Sequence, residues 1–535
     1  MEQRQVLIVG AGPTGLVLAL WLNRFGVGLR IIDEAPQAGT TSRAMVVHAR
    51  CLEFYRQLGI ADVVIEAGEK ARLLDGHLDR KHIARIPFGD FGEGLSRYPF
   101  ILVLPQAVHE RVLEAELKKA GVSVERNCEL LEIEHTNDSI LTRLRTATGE
   151  ENTRFEYLCG CDGAHSSVRE KCGISFPGGT YEQVFFVADA AIAGQMVDDN
   201  VHFAFTDREM LGVFPLKRRA SWRLIGIVPR NVTKAIHEIS YADVADQVRH
   251  TAALEATRVN WFSTYHVHHR VAGAFRKGRA FLLGDAGHIH SPAGGQGMNT
   301  GIGDASNLGW KLAAVLQGRA EAALLESYGA ERIAIAYRIV RSTDRIFSFQ
   351  VSPSWPMRMA RRWLTPLIPA LMRLGAVRRF IFRTISQIAF AYRESPISAG
   401  SAGRVRGGDR LPWFQLANGG DNHEALRDLD WQVHVYGEVP KSLETCCRKR
   451  GLPLRQFPWG RPARAVGLGE RALSGAPGRP CGTRGSQRGL RCVGAISLAP
   501  RNSSPTKDLI KRTIEAAWRA IPVVRSIFHR IAAAT

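Results

Sequence analysis

Apolar and polar residues at the N-terminal end of the chain follow the pattern of a strand, a turn, a helix and a second strand. Residues 5–9 (QVLIV) form an apolar run that predicts a buried strand, and residues 14–24 carry apolar side chains at helical spacing. A second run at 28–32 predicts another strand. Two strands joined by a helix form a βαβ unit, so the pattern indicates the start of a parallel sheet.

The middle of the chain has a different pattern. Alternating apolar and polar positions at 180–230 predict a separate antiparallel sheet, because one face of such a sheet is buried and the other is wet. The other predicted elements are a helix at 105–121, strand material at 122–133, a hairpin near 137–150, strands at 155–159 and 280–283, and a mostly helical region at 341–392.

Glycine is concentrated in one stretch, GDAGHIHSPAGGQGMNTGIGDASNLGWKLA at 284–313, which holds eight glycines in thirty positions. An ordered glycine destabilises a segment by roughly 0.5–1 kcal/mol relative to alanine, so such a cluster needs a physical reason. A tight turn is one reason. The other is a flat or phosphorylated ligand that lies directly against the backbone.

Three further glycines follow the first predicted strand, in the sequence GAGPTG at 10–15. Gly10 and Gly12 allow the turn and the approach of a pyrophosphate to the helix N-terminus, and Gly15 permits close packing of helix on strand. The second strand ends at Asp33, where an acid can hold a ribose hydroxyl. The pattern predicts a dinucleotide site, and a purely structural turn is the alternative.

Aspartate–glycine pairs end two more predicted strands. Asp162 and Gly163 follow the strand at 155–159, and Gly284 and Asp285 follow the strand at 280–283. A carboxylate at the carboxyl end of a strand can reach sugar hydroxyls. The alternative for each aspartate is a helix N-cap.

These motifs together resemble the single-component FAD-dependent aromatic hydroxylases, flavoprotein monooxygenases of the para-hydroxybenzoate hydroxylase fold. The resemblance rests on GxGxxG, CDGAHSSVR at 161–169 and the glycine-rich stretch, supported by SRAMVVHARCLEFYRQLG at 42–59 and YRESPIS at 392–398. The chain is most similar to the branch that contains phenol, pentachlorophenol and hydroxyphenylpropionate hydroxylases. The similarity covers about residues 5–420, with Gly287 in place of the usual alanine.

The resemblance implies an α/β fold with an α+β middle domain. A Rossmann-like βαβ sheet would bind FAD, and an inserted antiparallel sheet would bind substrate. The implied divisions are an FAD-binding domain at 1–178 and 270–340, a substrate-binding sheet at 179–269, a basic helical region at 341–395, a partial, degenerate thioredoxin-like domain at 396–459, and an Arg/Gly/Pro-rich tract with a basic tail at 460–535. Residues 460–492 contain almost no large apolar side chains and are predicted to be disordered.

The resemblance also implies the cofactors: FAD, O2, and NADPH or NADH as a transient co-substrate. One dinucleotide fingerprint occurs, so the nicotinamide would dock without a second Rossmann domain. The glycine-rich stretch would lie against the isoalloxazine ring, with Pro292 on its reactive side and the dipole of a helix that begins near 296–300 facing its pyrimidine edge. The implied FAD-binding residues are Gly10, Gly12, Gly15, Asp33, Arg43, Gln106, Asp162, Gly163, Gly284, Asp285, Gly295, Gly297, Met298 and Asn299.

In this family the flavin activates O2 as a hydroperoxide that hydroxylates an electron-rich ring, and the protein excludes water and favours the phenolate. The candidate catalytic residues are Arg223, Tyr392, Pro292 and His266, and Phe203, Phe205 and Phe214 are candidate pocket residues. Tyr392 is a candidate because Tyr-Arg-x-Ser-Pro matches a family segment near the substrate. His266, His268 and His269 lack a carboxylate cluster, so no metal site is predicted there.

Charge limits the range of partners. The chain carries a net charge of +20, but residues 1–340 hold 38 basic and 39 acidic side chains, so no nucleic-acid partner is expected from that part. The excess lies in the last third, where basic segments at 353–393 and 507–531 leave two interpretations open: weak contact with an anionic membrane surface, or packing between subunits as in a homodimer. The nine cysteines lack CxxC spacing, which favours reduced thiols and a cytoplasmic location.

The sequence therefore predicts an NAD(P)H-dependent FAD monooxygenase that hydroxylates a small aromatic, phenolic substrate. Two alternatives remain open at this stage. One is a flavin-dependent reductase or dehydrogenase of an isoprenoid or quinone. The other is a non-catalytic flavin-binding protein with a basic interaction tail.

Overall fold

The computed structural model describes most of the chain up to residue 475. The described residues are 5–39, 44–87, 89–206, 209–216, 221–291, 293–351, 354–356, 359, 363, 368–468 and 472–475. All of them belong to the first of two units of the chain, Met1–Val493. Within these ranges, helices long and apolar enough to cross a membrane are absent.

Strands account for much of the described chain. In chain order they are β1 (Val6–Val9), β2 (Leu29–Asp33), β3 (Val46–Val47), β4 (Glu69–Ala71), β5 (Leu73–Leu78), β6 (Lys81–Pro87), β7 (Ile101–Val103), β8 (Glu125–Arg126), β9 (Glu129–His135), β10 (Ile140–Thr146), β11 (Gly149–Phe155), β12 (Tyr157–Gly160), β13 (Gly178–Gly194), β14 (Val201–Phe205), β15 (Met210–Leu216), β16 (Ser221–Ile227), β17 (Leu254–Val271), β18 (Arg276–Lys277), β19 (Ala280–Leu282), β20 (His288–Ile289), β21 (Ser401–Ala402), β22 (Val405–Arg406), β23 (Gln432–Tyr436), β24 (Leu454–Phe457) and β25 (Ala472–Gly475).

The α-helices alternate with these strands in the first half and dominate the region after residue 297. They are α1 (Pro13–Arg24), α2 (Ala49–Leu58), α3 (Ala61–Ala67), α4 (Gly89–Gly92), α5 (Gln106–Lys119), α6 (Ser167–Lys171), α7 (Ala245–Ala252), α8 (Gly297–Leu316), α9 (Glu326–Val351), α10 (Ile368–Met372), α11 (Gly375–Ile385), α12 (Lys441–Lys449) and α13 (Arg461–Ala465). The predicted first helix, the helix at 105–121 and the helix start near residue 296 are confirmed.

A six-stranded sheet forms the centre of the fold. Its order is β18-β19-β12-β1-β2-β8, and β1 runs parallel to both β2 and β12. All four residues of β1 are buried, and α1 packs against α8 with Trp21 fully covered. The βαβ unit predicted from the hydrophobic pattern is confirmed. The carboxyl ends of β1, β2, β12 and β19 meet at one edge, where ligands bind in open α/β sheets.

An eight-stranded sheet forms the second large layer, in the order β20-β17-β13-β16-β15-β14-β5-β6. The predicted antiparallel sheet at 180–230 lies within it. The sheet also takes strands from outside the predicted range 179–269. The β5–β6 hairpin joins through β5, which runs parallel to β14, and β20 pairs with the end of β17.

Successive side chains of these strands point to opposite faces of the sheet. One face, here called the outer face, carries Phe186, Ala204, Val213 and Leu224 and packs with Val248 of α7. The other is here called the aromatic face and is defined by four residues, Phe203, Phe205, Phe214 and Ile225. Phe203, Phe214 and Ile225 pack against the core that contains β1 and α1, so the aromatic face is turned towards the six-stranded sheet.

The predicted hairpin near 137–150 is confirmed as part of the antiparallel sheet β11-β10-β9. Towards the C-terminus, β23 pairs in parallel with β24 across α12 and antiparallel with β25. The expected disorder over 460–492 is wrong for 460–468 and 472–475, because α13 and β25 form there. The rest of that tract lies outside the described residues. The thioredoxin-like domain stays a prediction.

Helices α8 and α9 are joined by a buried ion pair. Lys311 Nζ lies 2.9 Å from Glu331 Oε2, and both side chains are at most 1% exposed. Asn307 Nδ2 donates to the same carboxylate oxygen at 2.7 Å, and the Ser395 hydroxyl donates to the other. The hydrogen bond of Ser395 therefore ties the chain after α11 to the contact between α8 and α9.

We expect Lys311→Met to destabilise the protein by about 3–5 kcal/mol, because it leaves the charge of Glu331 buried without its cation. The additional change Glu331→Gln removes that charge and should restore part of the loss. Urea unfolding followed by tryptophan fluorescence measures both. An additive double variant would show that the two side chains do not interact energetically.

Candidate active site

The loop between β1 and α1 has the geometry of a pyrophosphate cradle. Gly10 has φ +98°, and a Cβ there would lie 2.4 Å from the carbonyl oxygen of Cys161. A Cβ at Gly15 would lie 2.0 Å from the carbonyl oxygen of Gly10. At Gly12, by contrast, a Cβ would meet none of the described atoms within 4 Å. Gly10 and Gly15 are thus required by packing, whereas the backbone at Gly12 is open to a ligand.

Helix α1 begins at this loop without a side-chain cap. Its N-cap is Gly12, with Pro13 at the first helical position. The N–H groups of the first turn of a helix have no intrahelical acceptor and favour negative charge. The N-terminus of α1 can therefore hold a phosphate group.

Asp33 closes the other side of this loop. Its Oδ2 accepts a hydrogen bond from the N–H of Ala11 at 2.6 Å, and its Oδ1 accepts one from Ala35 at 2.9 Å. The side chain remains 17% exposed and lies 3.7 Å from Arg126 Nη1. Asp33 braces the glycine loop in addition to the ribose contact that the sequence predicts.

Asp162 follows β12, and its carboxylate lies against the first turn of α6, whose N-cap is Ser166. It accepts hydrogen bonds from the Ser166 and Ser167 hydroxyls at 2.6 and 3.1 Å and from the N–H of Val168 at 3.0 Å, and burial raises its pKa. Asp162 thus braces the start of α6 without occupying the N-cap position of the alternative interpretation. The adjacent Gly163 has φ +77° and no described atom within 4 Å of a built Cβ, so its backbone is the accessible part of this motif.

Gly284 and Asp285 follow β19 and divide two roles between them. Gly284 lies against α1, since a Cβ there would be 2.6 Å from Thr14 Oγ1. The carboxylate of Asp285 stays accessible and forms no hydrogen bond or ion pair with the described residues. Surrounding protein atoms and the charge of Asp304 raise its pKa, despite an opposing effect of His288. An accessible carboxylate without a protein partner, at a strand end, is suited to sugar hydroxyls.

Asp304 on α8 holds this strand end in place. Its Oδ2 accepts hydrogen bonds from the N–H of Gly284 at 2.9 Å and from His288 Nε2 at 2.7 Å, and its Oδ1 pairs with Arg332 Nε. Burial alone would raise the pKa of this carboxyl, but the charge of Arg332 and the bond from His288 hold it below its usual value. We call this cluster of Asp304, His288 and Arg332 the Asp304 cluster.

Sequence reasoning did not single out Asp304 or Arg332. Asp304 is the single acid of α8, which was the available signal, but nothing in the spacing along the chain pairs it with an arginine 28 residues later. The structure places Tyr392 in this cluster too. Its hydroxyl accepts a hydrogen bond from Arg332 Nη1 at 2.8 Å.

The loop that precedes α8 is fixed by side chains rather than by its own secondary structure. Asn299 Nδ2 donates to the carbonyls of Val46 and Gly295, both at 2.8 Å, and its Oδ1 accepts from the N–H of His48 at 2.8 Å. The ring of His48 lies 2.9 Å from the carbonyl of Gly294, and burial lowers its pKa to about 4. Asn299, predicted to bind cofactor, thus has a positioning role in the loop.

Unpaired polar atoms remain on this loop. The Nδ1 of His290 bonds the carbonyl of Ser291 at 2.9 Å, while its Nε2 is buried without a hydrogen-bond partner among the described residues. Burial and the neighbouring His288 lower the pKa of His290 to about 4, so the ring is neutral. The Nδ1 of His48 and the Oγ of Ser291 are likewise buried and unsatisfied within the described chain. Buried polar atoms are normally paired, so the unpaired atoms leave this loop with hydrogen-bonding capacity that suits a polar ligand.

The remaining predicted cofactor residues lie around the same cleft. Gln106 begins α5 and donates to Glu110 at 2.7 Å, and the backbone N–H of Gln106 donates to Ala44. Gly295 packs on Val46, Gly297 is the first residue of α8, and Met298 packs on the large core. Arg43 and Pro292 lie outside the described residues.

Together these features fit FAD: an open phosphate-binding helix terminus, two acids at strand ends, and a glycine loop with unsatisfied polar atoms. The loop leads into α8, whose N-cap Gln296 makes no side-chain hydrogen bond to the helix. The dipole of this 20-residue helix favours negative charge at its N-terminus. That field suits the anionic pyrimidine edge of a reduced flavin.

The candidate pocket residues Phe203, Phe205, Phe214 and Arg223 share one face of the eight-stranded sheet. Arg223 follows the register of Phe214 and is only 3% exposed, with its guanidinium paired to Asp189 at 2.7 and 2.8 Å. Its charge is therefore compensated. His266 is exposed, and it lies opposite Val184, which packs towards the outer face. This position does not support His266 as a pocket base.

Comparison with known proteins agrees with this site. Residues 3–343 match the family model described as FAD binding domain. The chain is 34% identical to 6-methylpretetramide 4-monooxygenase of Streptomyces rimosus over 415 residues, which are 75% of this chain and 72% of the relative. It is 33% identical to pentachlorophenol 4-monooxygenase of Sphingobium chlorophenolicum over 423 residues, 77% and 76% of the two chains.

Solved structures show the same fold. CabE, an aromatic hydroxylase from angucycline biosynthesis, superposes with a TM-score of 0.72 at 26% identity, over 90% of this chain and 96% of CabE. The fold and the site define a flavin-dependent monooxygenase that hydroxylates aromatic compounds with O2 and a reduced nicotinamide. The chain belongs to the FAD binding domain family. The reductase and the non-catalytic alternatives are not favoured.

The glycines of the first loop offer a direct test of which backbone positions contact FAD. We expect Gly12→Ala to leave the apo fold intact, apart from a small N-cap effect, and to weaken FAD binding at least ~10-fold, or about 1.4 kcal/mol. Gly15→Ala should destabilise the apo fold itself, because its Cβ would overlap the carbonyl of Gly10. Flavin fluorescence titration and thermal unfolding of the apo protein separate the two effects.

Gly329→Ala on α9 is the matched control, because its Cβ would meet no described atom within 4 Å and lies away from the loop. Equal FAD affinity for Gly12→Ala and Gly329→Ala would contradict the cradle.

We expect Asp285→Leu to lower FAD affinity by roughly 10–150-fold, since hydrogen bonds to a charged group contribute about 1.5–3 kcal/mol. The accessible carboxylate supplies no bond to the described protein, so the apo fold should be unaffected. The same titration measures the change. Asp246→Leu, at a 93% exposed position on α7, is the control, and a loss of equal size there would argue against a specific contact.

Proposed function

We propose that the substrate is a small phenolic compound whose ring lies between the glycine loop before α8 and the aromatic face. The observation that supports this most directly is the pairing of β20 with β17. Arg270 and Val271 of β17 are the register partners of Ile289 and His288. The strand that leads into the flavin loop is thus an edge strand of the substrate sheet, which fixes the two surfaces relative to each other.

The aromatic face provides a floor for a flat apolar ring. Phe203 makes an edge-to-face contact with Phe214 at 5.6 Å between ring centroids and stacks beside Phe205 at 6.4 Å. Gly212 makes this packing possible, because a Cβ there would lie 2.9 Å from Phe214 Cε2. Apolar walls with a few placed polar groups are typical of small-molecule sites.

The polar group on this face is the pair of Arg223 and Asp189. The guanidinium of Arg223 also lies 5.5 Å from the ring centroid of Trp261. Because Asp189 neutralises the guanidinium, this pair would orient a phenolic hydroxyl by hydrogen bonding, and it would lower the phenol's pKa less than a bare cation. Tyr392 acts through Arg332 in the Asp304 cluster, and we propose for it a positioning role.

FAD, when bound, supplies the redox chemistry and the activation of O2. The chain's own contribution is to hold the pyrophosphate at α1, to place the helix dipole of α8 at the pyrimidine edge, and to keep water from the ring with apolar side chains. NADPH or NADH would dock transiently. A homodimer and a cytoplasmic location remain predictions from the sequence.

The test is anaerobic reduction of the purified yellow protein by NADPH and NADH, with and without a panel of phenols, followed by a pulse of ¹⁸O2. A phenol that accelerates reduction and gains one ¹⁸O atom supports the proposal and identifies the substrate class. Reduction that no phenol changes, with no label in any product, would contradict it.

We expect Phe203→Ala to raise the substrate KM and to divert reducing equivalents to hydrogen peroxide, because it opens the floor of the pocket to water. Phe262→Ala is the matched control. Its ring stacks on Phe186 towards the outer face, with 6.1 Å between centroids. Steady-state coupling, measured as product formed per NAD(P)H consumed, should fall for the first variant only. An equal fall in both would place the substrate elsewhere.

A further inference from the structure

A cluster of metal-ligating side chains lies on the eight-stranded sheet, away from the flavin site. Asp75 on β5 and His202 on β14 are register partners, and Asp198 lies in the turn before β14. Each of the three residues offers one ligand atom within 4.8 Å of the other two. His202 neighbours Phe203 in the strand, so it points to the outer face. The cluster and the aromatic face are on opposite sides of the sheet.

The cluster combines buried and accessible ligands. The side chains of Asp75 and His202 are 1% and 3% exposed, whereas that of Asp198 is 40% exposed. His202 Nε2 lies 2.7 Å from Asp198 Oδ1. An ion can therefore enter from the Asp198 side and reach two preformed buried ligands.

A second histidine, His77, contacts the other ring nitrogen of His202. His77 Nε2 lies 3.2 Å from His202 Nδ1. When a metal takes the Nε2 lone pair of a histidine, the other ring nitrogen carries the proton and needs an acceptor. His77 Nε2 is positioned to accept the hydrogen bond of that proton. A hydrogen-bond acceptor at the second ring nitrogen supports a metal-bound histidine, and here the acceptor is a second imidazole.

The two oxygens of the Asp75 carboxylate differ in how closely neighbouring side chains contact them. Asp75 Oδ1 accepts from His82 Nε2 and Arg85 Nε, both at 2.9 Å. Asp75 Oδ2 has only long contacts, 3.3 Å to Arg85 Nη2 and 3.4 Å to Asn200 Nδ2. The Arg85 side chain is 59% exposed and can move outward. Oδ2 is thus the oxygen that can bind an ion while Oδ1 keeps its partners.

We propose that Asp75, Asp198 and His202 bind one divalent first-row metal ion, with Zn²⁺ as the first candidate. Two carboxylates and an imidazole, completed by water, form a ligand set that Zn²⁺ accepts, with bonds of about 2.0–2.2 Å. Asp198 and His202 need to separate only slightly from their present contact. A neutral His202 exchanges its Nε2 proton for one at Nδ1 through solvent, so the metal-bound ring stays neutral and keeps the Nδ1 proton that faces His77.

The ion would fasten the β5–β6 hairpin to β14. Asp75 belongs to the hairpin, whereas Asp198 and His202 belong to the segment around β14, so one ion joins two stretches of chain about 120 residues apart. The site is on the face opposite the aromatic face. Its effect is therefore on the stability of the far edge of the substrate sheet rather than on oxygen chemistry.

The test is calorimetric titration of the FAD-loaded protein, dialysed against chelator, with Zn²⁺ alone. We expect one equivalent to bind, with at least ~10-fold weaker affinity in His202→Gln and in Asp198→Asn. His77→Ala removes the hydrogen-bond partner of His202 Nδ1 and should weaken Zn²⁺ binding by about 10–100-fold. His250→Gln is the control. His250 belongs to α7, its side chain is 70% exposed, and it lies outside the cluster. This variant should bind Zn²⁺ as the parent protein does.

Hydrogen exchange locates the ion independently. Zn²⁺ should slow amide exchange in residues 73–87 and 198–203 of the parent protein and leave it unchanged in His202→Gln. The proposal is overturned if less than one equivalent binds, if His202→Gln and Asp198→Asn both retain the parent affinity, or if protection arises only at other histidines. Asp198 lies in a partly exposed turn, so its variant keeps the test valid should His202→Gln fail to fold.

Discussion

The single buried carboxylate of Asp304 holds together the segments that surround the flavin cleft. Asp304 is fully buried and receives the backbone of Gly284, the ring of His288 and the guanidinium of Arg332. Through them it links the end of a strand in the six-stranded sheet, the first turns of α8, and α9. A charge in such a place is tolerated only while every partner is present, so the geometry of the flavin cleft depends on this cluster.

Local pattern was enough to predict the βαβ unit, the antiparallel sheet and the start of α8, because each depends on residues close together in sequence. Gly10, Gly15 and Asp33 could also be predicted, since their chemistry is written in a short motif. The Asp304 cluster could not, because Asp304 and Arg332 meet only after two helices pack. Asp162 and Asn299 show a related limit. The sequence predicts that both residues lie beside the cleft. It does not predict which protein atoms form hydrogen bonds with their side chains, because those contacts arise only when the chain folds.

The eight-stranded sheet shows why domain limits are harder to predict than individual strands and helices. Residues 73–87 precede the predicted range by about a hundred positions, yet they form the far edge of the same sheet. The sequence of a hairpin does not predict which sheet the hairpin joins. That depends on which sheet has an unpaired edge strand beside the hairpin in the folded chain. The surroundings of Arg223 could not be predicted for the same reason, since its partner Asp189 comes from the neighbouring strand.

The pairing of β20 with β17 has a consequence for how this scaffold can diversify. One edge of the eight-stranded sheet is formed by β20, which leads into the glycine loop before α8, whereas β5 and β6 at the opposite edge do not pair with β20 among the described residues. Mutations near β17 are therefore expected to disturb the glycine loop as well as the sheet. Mutations in β14, β5 and β6 leave the pairing of β20 with β17 in place, so this far edge can vary while the loop keeps its geometry.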